Sequence, residues 1–318
     1  MRRSPSTFEE LMARLVNWAE AHPDIRAVVV VGSRARIDHP ADMWADLDII
    51  LVTTDKDYYL STADWMRSIG NPVLTFLEPT ATGNEIERRV LFEGMLDVDF
   101  SIVPKEVVHK LIRAEISNES AREIADTLGR GMRVLIDKDN VAEQFRALTS
   151  YVKARASSQP TRREFLEVVN DFLYHAVFIT KHLRRGELWW AGTCCNCYMQ
   201  RLLLQMIEWH AQANHGWSYD TWFRGRFLEE WADPAVLEGL RETFARYDRQ
   251  DLSRALLATL NMFRQVALET ANRLGYEYPV DVDEQVSKWV RNCLLPSDES
   301  IPKSDADSCC DSETPTQQ

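Results

Sequence analysis

A short run of β-branched residues that ends at a glycine constrains the fold more than any other feature of this sequence. Residues 25–31 read Ile-Arg-Ala-Val-Val-Val-Val and are followed directly by Gly32-Ser33. Such a run is typical of a buried strand, and the glycine that follows it is typical of a tight turn. The sequence therefore predicts a strand over residues 25–31 that enters a sharp bend.

A second strand is predicted over residues 46–52, where Asp46 and Asp48 alternate with apolar side chains. Side chains on a strand repeat every two residues, so both carboxylates are expected on one face and Leu47, Ile49 and Leu51 on the other. Further strands are predicted over 72–77, over two apolar runs within 90–103, and over 133–137. Helices are predicted from a capping box at residues 6–10 and over 58–69.

Beyond residue 140 the apolar residues recur every three to four positions, which favours a helical bundle. The segments with this spacing are 141–156, 163–184, 197–214, 222–231, 234–247 and 251–274. We predict an α+β chain: a mixed β-sheet flanked by helices over 1–145, followed by an all-α bundle over 146–292. Residues 293–318 are acidic and poor in large apolar side chains, so they are predicted to be a disordered tail.

Charge and composition restrict the class of partner. The 318 residues contain 37 Lys and Arg against 49 Asp and Glu, a net charge of -12. Such a balance disfavours nucleic acid and favours a cationic small molecule.

No apolar stretch is long enough to span a membrane, and the N-terminus lacks the apolar core of a secretory signal, so we expect a cytoplasmic monomer or homodimer. The six cysteines are expected to be reduced, and Cys194-Cys195-Asn196-Cys197 lacks the second ligand pair that a structural zinc site needs.

Three aspartates and a glycine-serine turn form a pattern suited to phosphate chemistry. Asp46 and Asp48 lie on the strand after Gly32-Ser33, and Asp99 lies on a later strand. Carboxylates in this arrangement can bridge two divalent ions about 3.5–4 Å apart. The small turn lets backbone N–H groups and a hydroxyl approach a triphosphate, and a helix starting there would add its positive end. Alone, Gly-Ser is usually just a turn and Asp-x-Asp a solvated strand edge, but their combination is more specific.

These segments resemble a known enzyme family. The sequences are Val-Val-Val-Val-Gly-Ser-Arg-Ala at 28–35, Asp-Leu-Asp-Ile at 46–49 and Asp-Val-Asp-Phe-Ser-Ile-Val-Pro at 97–104. They look like the aminoglycoside 6-adenylyltransferase (streptomycin adenylyltransferase) family of polymerase-β-like nucleotidyltransferases. Residues 133–139 and 201–209 and the Phe263-Arg264 pair extend the likeness to about residues 5–292.

The resemblance implies transfer of AMP from ATP to a hydroxyl of streptomycin, an aminoglycoside, with resistance to the antibiotic as the consequence. It implies that two Mg²⁺ ions are held by Asp46 and Asp48, and that Gly32, Ser33 and Arg34 hold the triphosphate. Asp99 is either a metal ligand or the general base, and we favour a base that is also a partial ligand. Asp97 is the alternative, and Glu78 and Glu93 are weaker ones.

The resemblance also implies that the helical half binds the acceptor. Streptomycin carries guanidinium groups, which favour carboxylates and aromatic faces. The candidate acceptor-binding residues are Trp189, Trp190, Asn196 and Glu187. The family has an acidic residue three positions before the equivalent of Asn196, where this chain has Thr193, so Glu187 or Asp171 is expected to supply the charge. A different acceptor, or a relative that binds nucleotide or a protein partner without turnover, stays open.

Overall fold

The structure, a computed structural model, describes residues 7–36, 38–80, 86–112, 127–153 and 159–294. It divides into two compact units, Met1–Ala156 and Ser157–Gln318. The first is called the sheet unit and the second the helical unit. The predicted domain bounds at residues 145 and 292 stay a prediction, and the predicted acidic tail lies outside the described residues from 295 onward.

The sheet unit contains a six-stranded mixed sheet in the order β3-β4-β5-β2-β1-β6. Its strands are β1 (Ile25–Val31), β2 (Leu47–Thr53), β3 (Pro72–Pro79), β4 (Ile86–Phe92), β5 (Leu96–Pro104) and β6 (Arg133–Asp137). Strands β2 and β5 run parallel, whereas the other neighbouring pairs are antiparallel. The predicted mixed sheet is confirmed.

Helices cover both faces of this sheet. Among the described residues of this unit, the helices with both ends assigned are α1 (Phe8–Glu20), α2 (Lys56–Ser61), α3 (Lys105–Ile112) and α4 (Val141–Lys153). Thr7 caps α1 by accepting a hydrogen bond from the Glu10 N–H. One face of the sheet packs against α1 and the aromatic residues Tyr59 and Trp65, and the other packs against Val108 and Phe145 of α3 and α4. Because β1 and β2 are buried on both faces, both strands are nearly continuous apolar runs, interrupted by Arg26 in β1 and by Asp48 in β2.

The helical unit confirms the predicted all-α region. Its helices are α5 (Arg162–Arg184), α6 (Leu188–Thr193), α7 (Gln200–His215), α8 (Leu228–Trp231), α9 (Pro234–Leu240), α10 (Arg249–Leu274) and α11 (Val280–Leu294). A π-helical turn, Cys194–Met199, joins α6 to α7. The long helices α5, α7 and α10 supply most of the buried apolar side chains, among them the stacked rings of Phe172 and Phe263.

Four predicted helices differ from the structure. The helix expected over 58–69 is α2 followed by a separate 3₁₀ segment, Asp64–Ser68. The helix expected over 222–231 is interrupted because Trp222, Arg224 and Phe227 have positive φ. The helix expected over 234–247 ends at Leu240, and the one expected to begin at 197 begins as the π-helical turn. Helices α6 and α11 were not predicted.

No helix within the described residues is long and apolar enough to cross a membrane.

Candidate active site

Asp46, Asp48 and Asp99 converge at one end of the sheet. Each of them places a carboxylate oxygen within 4.8 Å of the others. The convergence follows from the topology, because Asp48 and Asp99 are paired positions on the parallel strands β2 and β5. Asp46 precedes β2 and shares the Asp48 face through the two-residue period. Asp99 is buried, and the other two are half-buried.

Gly32 makes room for one of these carboxylates. The residue directly follows β1 and has φ of +66°, which favours glycine. A Cβ placed there would stand 2.0 Å from Asp48 Oδ2. Glycine is therefore required both by the backbone conformation and by the approach of the Asp48 side chain.

Arg89 fixes the orientation of Asp99. The two residues are paired positions on β4 and β5, and Arg89 Nη1 lies 2.7 Å from Asp99 Oδ2. Its guanidinium also contacts Glu87, at 3.1 Å, and Glu78. Asp99 Oδ1 is buried and has no hydrogen-bond partner within the described part of the chain. Arg89 thus binds Oδ2 of Asp99, and Oδ1 can accept a ligand or a proton.

Burial dominates the electrostatics of Asp99. Burial raises the pKa of the carboxyl to about 7 against the opposing charge of Arg89, and the charges of Asp48, Glu87 and Asp97 add to the increase. Burial likewise raises the pKa of Glu87. The single positive charge of Arg89 is shared among three carboxylates, so this end of the sheet carries an excess of negative charge.

Ser33 and Arg34 follow Gly32 in a 3₁₀ turn, Gly32–Arg34, and no α-helix begins there. The positive helix end expected at this turn is therefore absent among the described residues. The Ser33 hydroxyl is buried with no hydrogen-bond partner in the described ranges. The Arg34 guanidinium donates to the carbonyls of Ala45, at 2.6 Å, and Asp46, at 2.8 Å, and lies 3.7 Å from the centroid of the Phe8 ring. Arg34 thus positions the segment that leads into β2, and its predicted contact with a triphosphate stays a prediction.

The alternative acidic residues are placed differently. Asp97 shares the Asp99 face of β5 but is exposed, and its pKa is raised by burial and by the charge of Asp46. Glu78 contacts Arg89, whereas Glu93 is exposed and accepts a hydrogen bond from Asn71. Neither glutamate belongs to the group of three converging aspartates.

The acceptor candidates lie around α6 and the π-helical turn. Trp189 and Trp190 are 73% and 57% exposed, so they are surface rather than core residues. Asn196 is occupied by the backbone of Ala245, donating to its carbonyl at 2.8 Å and accepting from its N–H at 2.9 Å. Glu187 contacts His182 and accepts a hydrogen bond from Arg185 at 2.7 Å. The roles predicted for these four residues stay predictions.

Sequence reasoning missed Arg89 and Glu87. Both lie on β4, whose predicted start was Val90, whereas the strand begins at Ile86. The alternation Glu87-Arg88-Arg89 places Glu87 and Arg89 on one face and Arg88 on the other. Had the strand been extended by four residues, that alternation would have placed Glu87 and Arg89 on one face, but their position beside Asp99 depends on the pairing of β4 with β5.

A mixed sheet that gathers three carboxylates beside a glycine-serine turn defines the chain as a nucleotidyltransferase. Residues 6–293 match the family model described as streptomycin adenylyltransferase. The chain belongs to the streptomycin adenylyltransferase family, so the resemblance read from the sequence is confirmed.

Curated relatives match over most of their length. The aminoglycoside 6-adenylyltransferase of Bacillus subtilis (strain 168) is 25% identical over 290 residues, which cover 88% of this chain and 95% of the relative. The protein of the same name from Campylobacter jejuni is 24% identical over 290 residues, 89% and 94% of the two chains. A crystal structure of an aminoglycoside 6-adenyltransferase from Bacillus subtilis matches at 21% identity and a TM-score of 0.42, over 93% of this chain and 100% of that chain.

Proposed function

We propose that this enzyme transfers AMP from ATP to a hydroxyl of an aminoglycoside, with streptomycin as the acceptor and pyrophosphate as the second product. The observation that carries the proposal is the convergence of Asp46, Asp48 and Asp99 on two parallel strands in a chain of this family. The relatives' name, aminoglycoside 6-adenylyltransferase, supports the acceptor class.

The carboxylates fit a divalent cation. Mg²⁺ prefers oxygen ligands, and three carboxylate oxygens here lie within 4.8 Å of one another. The buried Asp99 Oδ1 has no partner in the described residues, and a buried carboxylate oxygen without one is costly unless a cation or proton offsets it. Asp46 and Asp48 would hold Mg²⁺, and Asp99 would complete the ligand set. When bound, two Mg²⁺ ions would polarise the α-phosphoryl group and neutralise charge on the departing pyrophosphate.

The turn after β1 suits the triphosphate. Gly32 brings the backbone close to the carboxylates, and the buried Ser33 hydroxyl is available to donate to a phosphate oxygen. Arg34 holds the segment before β2 through its bonds to Ala45 and Asp46. These residues would fix the β- and γ-phosphates so that the α-phosphorus faces the acceptor.

Transfer is an in-line displacement. The acceptor oxygen forms a bond to the α-phosphorus while the bond from that phosphorus to the bridging oxygen breaks, and the electron pair leaves with pyrophosphate. Asp99 would accept the proton of the acceptor hydroxyl, because its Oδ1 is not held by Arg89. Arg89 holds that carboxyl in place from the opposite side.

Incubation with ATP and Mg²⁺ in the presence of streptomycin, spectinomycin or kanamycin, followed by mass spectrometry, tests the proposal. We expect streptomycin to gain the mass of one AMP. Turnover of another acceptor with none of streptomycin would overturn the acceptor assignment. Binding of ATP without modification of any acceptor would overturn the activity.

A further inference from the structure

One face of α5 carries a carboxylate among aromatic side chains. Asp171, Tyr174, His175 and Phe178 follow the three-to-four spacing that places residues on one side of a helix. Tyr198 of the π-helical turn joins them, since its hydroxyl donates to Asp171 Oδ2 at 2.8 Å and its ring lies 4.3 Å from the His175 ring. These five residues are called the Asp171 surface.

The Asp171 and Glu187 side chains are equally exposed, at 36% each. The two carboxylates differ in the charged residues that they pair with. Glu187 is neutralised by Arg185 and also contacts His182. Asp171 accepts from the Tyr198 hydroxyl and lies 2.7 Å from His175 Nδ1, and both partners can donate while neutral. Among the residues that the structure describes, no lysine or arginine lies within ion-pair distance of Asp171. The negative charge of Asp171 is therefore available to a ligand, whereas the negative charge of Glu187 is largely neutralised by Arg185.

Exposed and half-buried aromatic rings lie on the same surface as this carboxylate. Tyr174 is 66% exposed, and the Phe178 ring connects the surface to Trp190, with a centroid distance of 6.4 Å. The Tyr198 ring already has one guanidinium against it, because Arg201 Cζ lies 4.9 Å from its centroid. Aromatic faces beside an unneutralised carboxylate attract planar cations, by cation–π contact and by charge-assisted hydrogen bonds.

We propose that Asp171, and not Glu187, is the carboxylate that recognises a guanidinium or ammonium group of the acceptor, with Tyr174 and Tyr198 providing aromatic contact. This assignment rests on the proposed aminoglycoside acceptor. It gives the unusual π-helical turn a function, since that turn sets the position of Tyr198, and such turns are frequent at functional sites.

Calorimetric titration of streptomycin into the full chain without ATP tests the assignment. Asp171→Asn keeps the shape and the hydrogen bonds to Tyr198 and His175 but removes the charge. We expect the Kd for streptomycin to rise roughly 10- to 100-fold, the range for loss of a charge-assisted hydrogen bond, while the Kd for ATP stays unchanged. Tyr174→Ala, which alters only an exposed side chain, is expected to raise the Kd for streptomycin about 3- to 10-fold.

Two further variants complete the experiment. Glu238→Gln removes an exposed carboxylate on α9 and serves as the matched control, with an unchanged Kd expected. Glu187→Gln tests the alternative carboxylate. We expect it to change the Kd for streptomycin by less than about threefold, because Glu187 is an already paired surface carboxylate. A larger loss in Glu187→Gln than in Asp171→Asn would overturn the assignment, and so would wild-type affinity in Asp171→Asn. Wild-type affinity in Tyr174→Ala would overturn the aromatic contact assigned to Tyr174.

Binding and turnover are measured separately, so the two proposals can fail separately. If the wild-type chain binds streptomycin but transfers no AMP, the proposed reaction fails and the comparison of binding constants still decides the role of Asp171. If AMP is transferred and Asp171→Asn binds normally, only the Asp171 assignment fails. If the wild-type chain binds no streptomycin, both are overturned.

Discussion

Gly32 controls how closely the backbone approaches the Asp48 carboxylate. Gly32→Ala would place a Cβ 2.0 Å from Asp48 Oδ2 at a φ of +66°, so the carboxylate must move. A shift of about 1 Å in a catalytic group lowers turnover by about 100-fold. We expect kcat/KM for AMP transfer to fall by roughly that factor, as measured by steady-state pyrophosphate release.

Gly275→Ala separates this contact from backbone strain. Gly275 has a nearly equal φ of +69°, but a Cβ there meets no atom within 4 Å. Both variants should lose similar stability, and only Gly32→Ala should lose activity. Equal activity losses in the two variants would contradict the importance of the Gly32–Asp48 contact.

Arg89 orients Asp99 by holding its Oδ2 at 2.7 Å. Arg89→Met removes that bond and leaves the carboxylate free to rotate. We expect kcat to fall roughly 10- to 100-fold with little change in the KM for ATP, because the loss affects a transition-state interaction. Arg67→Met, at an arginine that is 74% exposed, is the control and should keep normal kcat. A raised KM with normal kcat in Arg89→Met would assign Arg89 to nucleotide binding instead.

At the scale of elements, Asp283 holds α10 and α11 together. Its carboxylate is buried and bonds to Arg264 of α10, to the Tyr278 hydroxyl at 2.9 Å and to the Ser287 hydroxyl at 2.9 Å. Removing one member of a buried ion pair costs about 3–5 kcal/mol because the other charge is left unpaired. Asp283→Ala should lower the free energy of unfolding in urea by that amount, and Glu284→Ala, an exposed neighbour, by less than about 0.5 kcal/mol. A small effect of Asp283→Ala would contradict the role of Asp283 in holding α10 to α11.

Asp139 joins β1 to the start of α3. Hydrogen bonds from Arg26 and from Lys105, whose Nζ lies 2.7 Å away, hold the pKa of Asp139 well below its usual range. A lowered folded-state pKa stabilises the native state above the unfolded pKa of about 3.9, and this contribution is lost as the pH falls below it. At pH 7, Asp139→Asn should reduce the free energy of unfolding by about 1–3 kcal/mol.

The difference between wild type and Asp139→Asn should shrink as the pH falls from 5 to 3, in thermal unfolding followed by circular dichroism. Asp64→Asn, at a carboxyl that is 94% exposed, should show no such pH-dependent difference. A difference for Asp139→Asn that stays constant down to pH 3 would contradict the ion-pair explanation.

Elements with strong local signals could be predicted from the sequence, and those set by tertiary packing could not. Strands β1 and β6 match their predicted ranges because short β-branched runs end at clear turn signals. The break at Trp222, Arg224 and Phe227 has no such signal, since positive φ at bulky residues depends on surrounding contacts. The aspartates could be predicted because the two-residue period fixes their face, whereas Arg89 required the pairing of β4 with β5.

At the scale of the whole molecule, the chain combines a sheet unit that gathers carboxylates with a helical unit whose surface exposes aromatic rings. The net charge of -12 adds a general attraction for a polycationic acceptor. Raising the salt concentration should therefore increase the KM for streptomycin and leave the KM for uncharged acceptor analogues unchanged. Steady-state kinetics between 50 and 500 mM salt measure the salt dependence of KM. This range changes the Debye length on the order of threefold.

We propose that Asp46, Asp48 and Asp99 together hold divalent cations under the nucleotide. A crystal structure with Mn²⁺ and a non-hydrolysable ATP analogue, with manganese located by its anomalous signal, tests it directly. We expect manganese about 2.0–2.4 Å from carboxylate oxygens of Asp46 and Asp48, with at least one ion also in contact with Asp99. Manganese bound elsewhere, or nucleotide bound with no ion at these three residues, would contradict it.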